Sequence, residues 1–136
     1  MADELNRPSE GAKPLVRWAI AHMQWSDVSV DKNETTFALT LQDSDAARGQ
    51  RLCVSGTIVQ IDVQKTPAGK VNVGLLSDSK LNLYYYLNVG SSGKLVAQSK
   101  ARLCGVVTGK HDYANSAGGQ GHAVTVVGMF DVKENK

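Results

Sequence analysis

The chain has 136 residues, 42% hydrophobic and 21% charged, with a formal net charge of +2. That is one domain of ordinary globular composition, long enough to bury about two-thirds of its unfolded surface. It shows neither the dense Lys/Arg stripe of a duplex-binding domain nor an apolar run near the ~20 residues that span a bilayer. The polar, acidic start, Met1-Ala2-Asp3-Glu4-Leu5-Asn6-Arg7-Pro8, does not read as a signal peptide. The expectation is a soluble cytoplasmic protein with no membrane span. The alternative is periplasmic or secreted, if Cys53 and Cys104 are bridged and a leader has been removed.

Residues 1–13 are polar and without period, which predicts a disordered lead-in. Pro14 opens a helical pattern, as proline favours the first turn. Val16, Ala19, Ile20 and Met23 form one apolar stripe, and Leu15, Trp18, His22 and Trp25 form its neighbour. A sector that wide suits a helix packed across a barrel mouth or against a partner chain, with His22 as a satisfied buried histidine. Asp27-Val28-Ser29-Val30 then leads through Asp31-Lys32-Asn33-Glu34 into Thr35-Thr36-Phe37-Ala38-Leu39-Thr40-Leu41. The second arm alternates Phe37, Leu39 and Leu41 on one side, which predicts a β hairpin. The expected organisation is a helix plus hairpin over residues 14–49, packed on a β domain at 50–132, with a tail at 133–136.

From Arg51 onward the pattern is strands and turns. Leu52 and Val54 share one parity while Val59, Ile61 and Val63 share the other, with Gly56 between, so a bulge or bend is expected there. Thr66-Pro67-Ala68-Gly69 is a turn. Val71, Val73 and Leu75 are expected inward, with Asn72 and Gly74 outward. After the turn Ser77-Asp78-Ser79 comes a second alternation, Lys80 to Val89. One face is Leu81, Leu83, Tyr85, Leu87 and Val89, which is apolar and assigned to the core. The other is Asn82, Tyr84, Tyr86 and Asn88, two flat rings bracketed by amides. Lys94 to Lys100 lacks strand alternation and suits one or two helical turns. Arg102 to Lys110 is a fourth strand, Lys110 to Gly121 a long loop, and His122 to Asp131 a fifth strand.

Cys53 and Cys104 occur in matching contexts, Arg51-Leu52-Cys53 and Arg102-Leu103-Cys104. They read either as two small buried hydrophobes or as a cross-strand disulfide, which implies an oxidising compartment. No metal-ligand spacing is present and no cofactor is implied.

The order of a long bent strand, a hairpin, a short helical connection and a second hairpin resembles the oligonucleotide/oligosaccharide-binding (OB) fold, a five-stranded Greek-key barrel. The resemblance spans about residues 50–132. It rests on Arg51-Leu52-Cys53-Val54-Ser55-Gly56-Thr57-Ile58-Val59 and Leu103-Cys104-Gly105-Val106-Val107-Thr108-Gly109. It implies a ligand face on the second and third strands, made here of Asn72, Asn82, Tyr84, Tyr86 and Asn88, with Gly74. Lys65, Lys70, Lys80, Lys110 and Tyr113 would lie on or beside its flanking loops.

That surface suits single-stranded nucleic acid, since each base stacked on a ring is worth ~1–3 kcal/mol and the lysines would meet phosphates. An oligosaccharide would use the same rings and amides, and Tyr84 and Tyr86 can equally be plain surface residues of a strand. The low net charge fits less well with a groove that tracks a phosphate backbone. A protein-interaction or assembly module, including a homo-oligomer, is the competing reading, because Trp and Tyr are enriched at interfaces. Catalysis is the weakest. His111-Asp112 and His122 flank a glycine-rich loop but lack a nucleophile with an oriented base. Gly118-Gly119-Gln120-Gly121 precedes a strand and not the helix a phosphate cradle needs. The expected function is therefore non-catalytic binding.

Overall fold

The computed structural model describes residues 18–19, 22–66, 69–114 and 120–136, without the side chains of 112–114 and 120. The expected lead-in, the start of the N-terminal helix (Pro14, Leu15, Val16, and Ile20 within it), the turn residues Pro67 and Ala68, and the tip of the 110–121 loop lie outside these residues. Among the described residues there are five strands: β1 (Arg51–Thr66), β2 (Gly69–Ser77), β3 (Leu83–Val89), β4 (Lys100–Ala114) and β5 (Gln120–Phe130). They close in the order β1-β2-β3-β5-β4, with β3 and β5 parallel and every other pair antiparallel. This is a mainly β, OB-like barrel.

Closure depends on β1 serving two partners. Arg51–Thr57 pairs with β4, and Thr57–Thr66 pairs with β2. Between these halves the register slips at Ile58/Gln60, which leaves Val59 as the extra residue of a bulge and turns the strand. The expected change of parity is present, three residues later than Gly56. Ile58 and then Ile61 pack inward, whereas Val59 and Val63 are exposed. Gly56 has a different role. A Cβ there would lie 2.2 Å from the Ser77 carbonyl oxygen, so β1 crosses the end of β2 at a separation only glycine allows.

Two apolar layers result. Inside the barrel lie Leu52, Ile58, Leu76, Tyr84, Tyr86, Leu103, Val107, Val124, Val126 and Phe130. The second layer is on the outside, where Val71, Val73, Val89, Cys104, Val127 and Met129 pack under Ala19, Met23 and Val28. The register makes these continuous rows, one running Val73, Leu87, Val127, Val106 across four strands. Much of β2 and β3 is thus buried on both faces. That overturns the expected orientation of the two strands: Asn72, Gly74, Tyr84, Tyr86 and Asn88 point into the barrel, while Leu75, Leu83, Tyr85 and Leu87 point outward. Part of the outward face is apolar because Ala19, Met23 and Val28 pack on it.

Trp18, Ala19 and His22 are helical, and one helical turn follows, α1 (Trp25–Val28). Ala19 and Met23 are buried as the first stripe predicts, while Trp18 and His22 are exposed, so His22 is not a core histidine. The expected hairpin does not form. Its second arm is instead α2 (Phe37–Gln42), followed by α3 (Ser44–Ala47). Thr36 caps α2 by accepting from the Leu39 amide at 3.2 Å, and Asp43 caps α3 by accepting from Ala46 at 3.1 Å. A run of seven residues satisfies period 2 and period 3.6 equally. Here capping decides: Phe37 and Thr40 turn inward while Leu39 stays in solvent. Phe37 and Ala47 join the inner layer and close one mouth of the barrel.

The segment before α2 also finishes the sheet. Glu34 donates its backbone N–H to the Arg51 carbonyl at 2.9 Å and places its carboxylate on the Arg51 amide and guanidinium. The Asn33 amide accepts from Cys53 N–H at 2.8 Å and donates to its carbonyl at 3.2 Å, imitating one peptide of a missing strand. Arg51 and Cys53 thus send their backbone groups away from β4. Cys53 and its partner Cys104 are therefore a non-hydrogen-bonded pair, the arrangement with the closer side chains. Their Cα atoms are 4.0 Å apart and the sulfurs are bonded. They form a disulfide, not two separate small hydrophobes.

Residues 91–99 hold turns in place of the expected helix. Leu95 N–H bonds to Ser92 and Ser99 N–H to Val96, and Gln98 has φ +75°, which no helix continues. The chain ends in a 3-10 turn, Lys133–Asn135, whose Asn135 side chain bonds Ser91 and the Phe130 carbonyl.

Candidate functional site

The expected ligand face is not a surface. Tyr84 is 4% and Tyr86 3% exposed, each edge-on to a phenylalanine: Phe37 at 5.5 Å and Phe130 at 5.1 Å. Burial raises both phenol pKa values well above their usual range, with the Asp78 charge adding to the effect at Tyr84. Asn72 and Asn88 lie on the same interior side. Asn72 donates to the Gly90 carbonyl at 3.5 Å, and the Asn88 amide makes no hydrogen bond among the described residues. Asn82 is half-buried and holds a turn, its backbone and side-chain N–H groups both on the Asp78 carboxylate.

The four lysines divide into two groups. Lys65 and Lys70 are exposed and face each other across the β1–β2 hairpin. Lys80, in the β2–β3 turn, and Lys110, on β4 opposite Val124, are exposed near the other end of the sheet. The length of β2 separates the groups by roughly 20 Å. Tyr113 is on β4 opposite Gly121, with its side chain outside the described ones.

What the alternation does present to solvent is Tyr85. Its neighbours across the sheet are Leu75 on β2 and Thr125 on β5. The row beside it runs Leu83, Ala123, His111. Ala123 is small and fully buried, so the rings on the two flanking strands meet above it: Tyr85 and His111 have centroids 4.9 Å apart at 41°. Both rings are partly exposed. Thr125 and Thr108 tie the floor together, hydroxyl to hydroxyl at 2.9 Å.

A cation is held on the same strand as His111. The Arg48 Nε donates to the Thr108 carbonyl at 3.1 Å, and its guanidinium is within 4.0 Å of where a Gly109 side chain would begin. Arg48 also meets Asp45 at 3.3 Å in an exposed pair, which leaves guanidinium donors facing solvent. Tyr85 and His111 were legible in the sequence as residues but not as a pair. The parity of β3 placed Tyr85 in the core, and His111 lies 26 positions away on the next strand of the chain, which is separated from β3 in the sheet by β5.

The chemistry available is stacking, hydrogen bonding and modest positive charge. Among the described residues no group of three His, Cys, Asp or Glu side chains could hold a metal ion, and no helix is long and apolar enough to cross a membrane. No family model matches the sequence, and no curated protein matches it. Among solved structures the chain is similar to a mitochondrial single-stranded DNA-binding protein from S. cerevisiae, Rim1. The identity is 9% and the TM-score 0.40, covering 63% of this chain and 95% of that one. A likeness of that extent carries no argument about function.

Proposed function

We propose that the barrel is a non-catalytic module that binds single-stranded nucleic acid on the partly exposed stretch of its outer face. The observation that carries the reading is the Tyr85–His111 ring pair, 4.9 Å apart and partly open, with Arg48 bonded to Thr108 on the strand that carries His111. A base stacks on a ring whatever its identity, so such a face favours unpaired strands over a given sequence. Arg48, Lys80 and Lys110 supply the phosphate contacts. Three contacts are few, and the binding is accordingly weak and salt-sensitive, with log K falling against log salt at a slope of about −2.

The test is the anisotropy of a labelled oligonucleotide at low ionic strength. Tyr85→Leu, which keeps an apolar strand residue, weakens binding about 5- to 150-fold, the equivalent of one stacked base. His111→Ala acts in the same direction, and both variants melt within a few degrees of the parent. If the parent protein shows no salt-sensitive binding, or Tyr85→Leu leaves it unchanged, the proposal is wrong.

A further inference from the structure

A groove of about 810 Å³ opens where β1 leaves β4 for β2, lined among others by Ser55, Thr57, Val59, Leu81, Lys100 and Arg102. Two large aliphatic side chains are exposed on its walls. Val59 is the bulge residue, and Leu81, in the turn between β2 and β3, is 82% exposed. Leu81 also has φ +64°, a backbone region that leucine enters only when its surroundings force it. The forcing is visible. The Asp78 carboxylate accepts from the Lys80 and Asn82 amides and from the Asn82 side chain, while Leu81 N–H bonds to the Asp78 carbonyl. This turn would be relaxed with glycine at position 81, and at 82% exposure the leucine gains little from packing. The side chain is held out over the groove.

The charges around these two aliphatic groups are mainly basic. Lys100 donates to the Thr57 hydroxyl at 2.7 Å on the groove wall, Arg102 lies beside it, and Lys80 is exposed in the turn between the lining residues Ser79 and Leu81. Asp78 is the acid of the groove, and three donors already occupy its carboxylate. Arg102 shares Asp131 with Lys136, so two cations face that one carboxylate. No aromatic ring lines the groove among the described residues, which separates it from the stacking face. The side-chain cover that Asn33 gives the β1 edge ends at Cys53. By the period of two, Ser55 is the next residue turning its backbone the same way.

We infer that this groove docks an extended, acidic segment of a partner protein. Apolar side chains of the segment rest on Leu81 and Val59, and its carboxylates meet Lys80, Lys100 and Arg102.

The probe is a labelled decapeptide alternating aspartate with leucine and phenylalanine, compared with its counterpart in which lysine replaces every aspartate. The full chain binds the acidic peptide at least tenfold more tightly than the basic one. Leu81→Gly weakens that binding about fivefold, the loss of part of one buried leucine, while the melting temperature stays level or rises as the turn relaxes. Lys100→Glu weakens it further and reduces its salt dependence. Tyr85→Leu leaves peptide binding unchanged, so this inference and the nucleic-acid reading stand or fall separately. Equal binding of the two peptides would overturn it, as would full affinity in Leu81→Gly. Loss of oligonucleotide binding in Leu81→Gly would assign the groove to nucleic acid and overturn it as well.

Discussion

The Tyr86 hydroxyl shows how a residue that looks like a ligand contact becomes a structural one. It donates to the Gln60 carbonyl at 3.0 Å, and Gln60 is the residue at which pairing with β2 resumes after the bulge. Gly74 makes the meeting possible, since a Cβ there would lie 1.9 Å from that carbonyl oxygen and 2.9 Å from the Tyr86 oxygen. A bulge disrupts the ladder locally, and a buried phenol spans the disruption from inside the barrel. Tyr86→Phe keeps the ring against Phe130 and removes only the donor. It should cost about 1–3 kcal/mol, the range for leaving a buried acceptor unmet, read as a lower urea midpoint with an unchanged slope. Oligonucleotide affinity should not move. A variant of parental stability that binds nucleic acid more weakly would return Tyr86 to the ligand face and remove the structural role.

At the scale of elements, the five strands were legible because each carries a period-2 pattern bounded by turn residues, and the parity change in β1 announced its bend. The direction of β3 was not. Alternation divides Leu83, Tyr85, Leu87 and Val89 from Tyr84, Tyr86 and Asn88, but it does not say which set faces the barrel axis. The usual guide, apolar inward, fails when a second layer covers the outside, as Ala19, Met23 and Val28 do here. Leu76 and Val124, opposite or beside Tyr84, give the true polarity only once the register is known. The 27–41 region failed for a different reason, since its short alternating run carried the caps of helical turns. The same region yields an element-scale prediction. Asn33 completes the β1 edge with two hydrogen bonds, so Asn33→Ala should cost about 1–2 kcal/mol. It should also speed amide hydrogen exchange at Cys53 by roughly tenfold, leaving Tyr86 and Val126 in the barrel interior protected. Uniform loss of protection across the barrel would mean that the 33–34 segment belongs to the global folding unit and does not act as a local edge cover.

For the whole molecule, the disulfide joins the two halves of the sheet on its outer side. Cys53 and Cys104 are 51 residues apart, and the closed loop contains most of β1 and all of β2 and β3. Loop-closure entropy for that length is about 4 kcal/mol, with 2–4 kcal/mol the usual measured range. The bridge also belongs to the cluster of Val71, Val89 and Met129 under the N-terminal cover, and Cys104 is completely buried. Two effects of removal are therefore separable. The Cys53→Ala/Cys104→Ala double variant loses loop closure everywhere and should melt well below the bridged protein. The outer layer loses contacts only locally, so protection at Val28 and Met23 should fall by more than the global loss accounts for. The Tyr85–His111 pair sits in rows beyond this cover, over Ala123 and beside Thr125. Below the new melting temperature, oligonucleotide binding by the double variant should equal that of the parent. Intact mass before and after thiol alkylation, without reductant, fixes the starting state: the bridged chain takes up no alkylating groups and the open chain takes up two. If the double variant melts with the parent, the chain-entropy account fails and the bridge is incidental to stability. If it melts lower and also binds nucleic acid more weakly, the cover and the stacking face are coupled, and the independence of the two outer surfaces is lost.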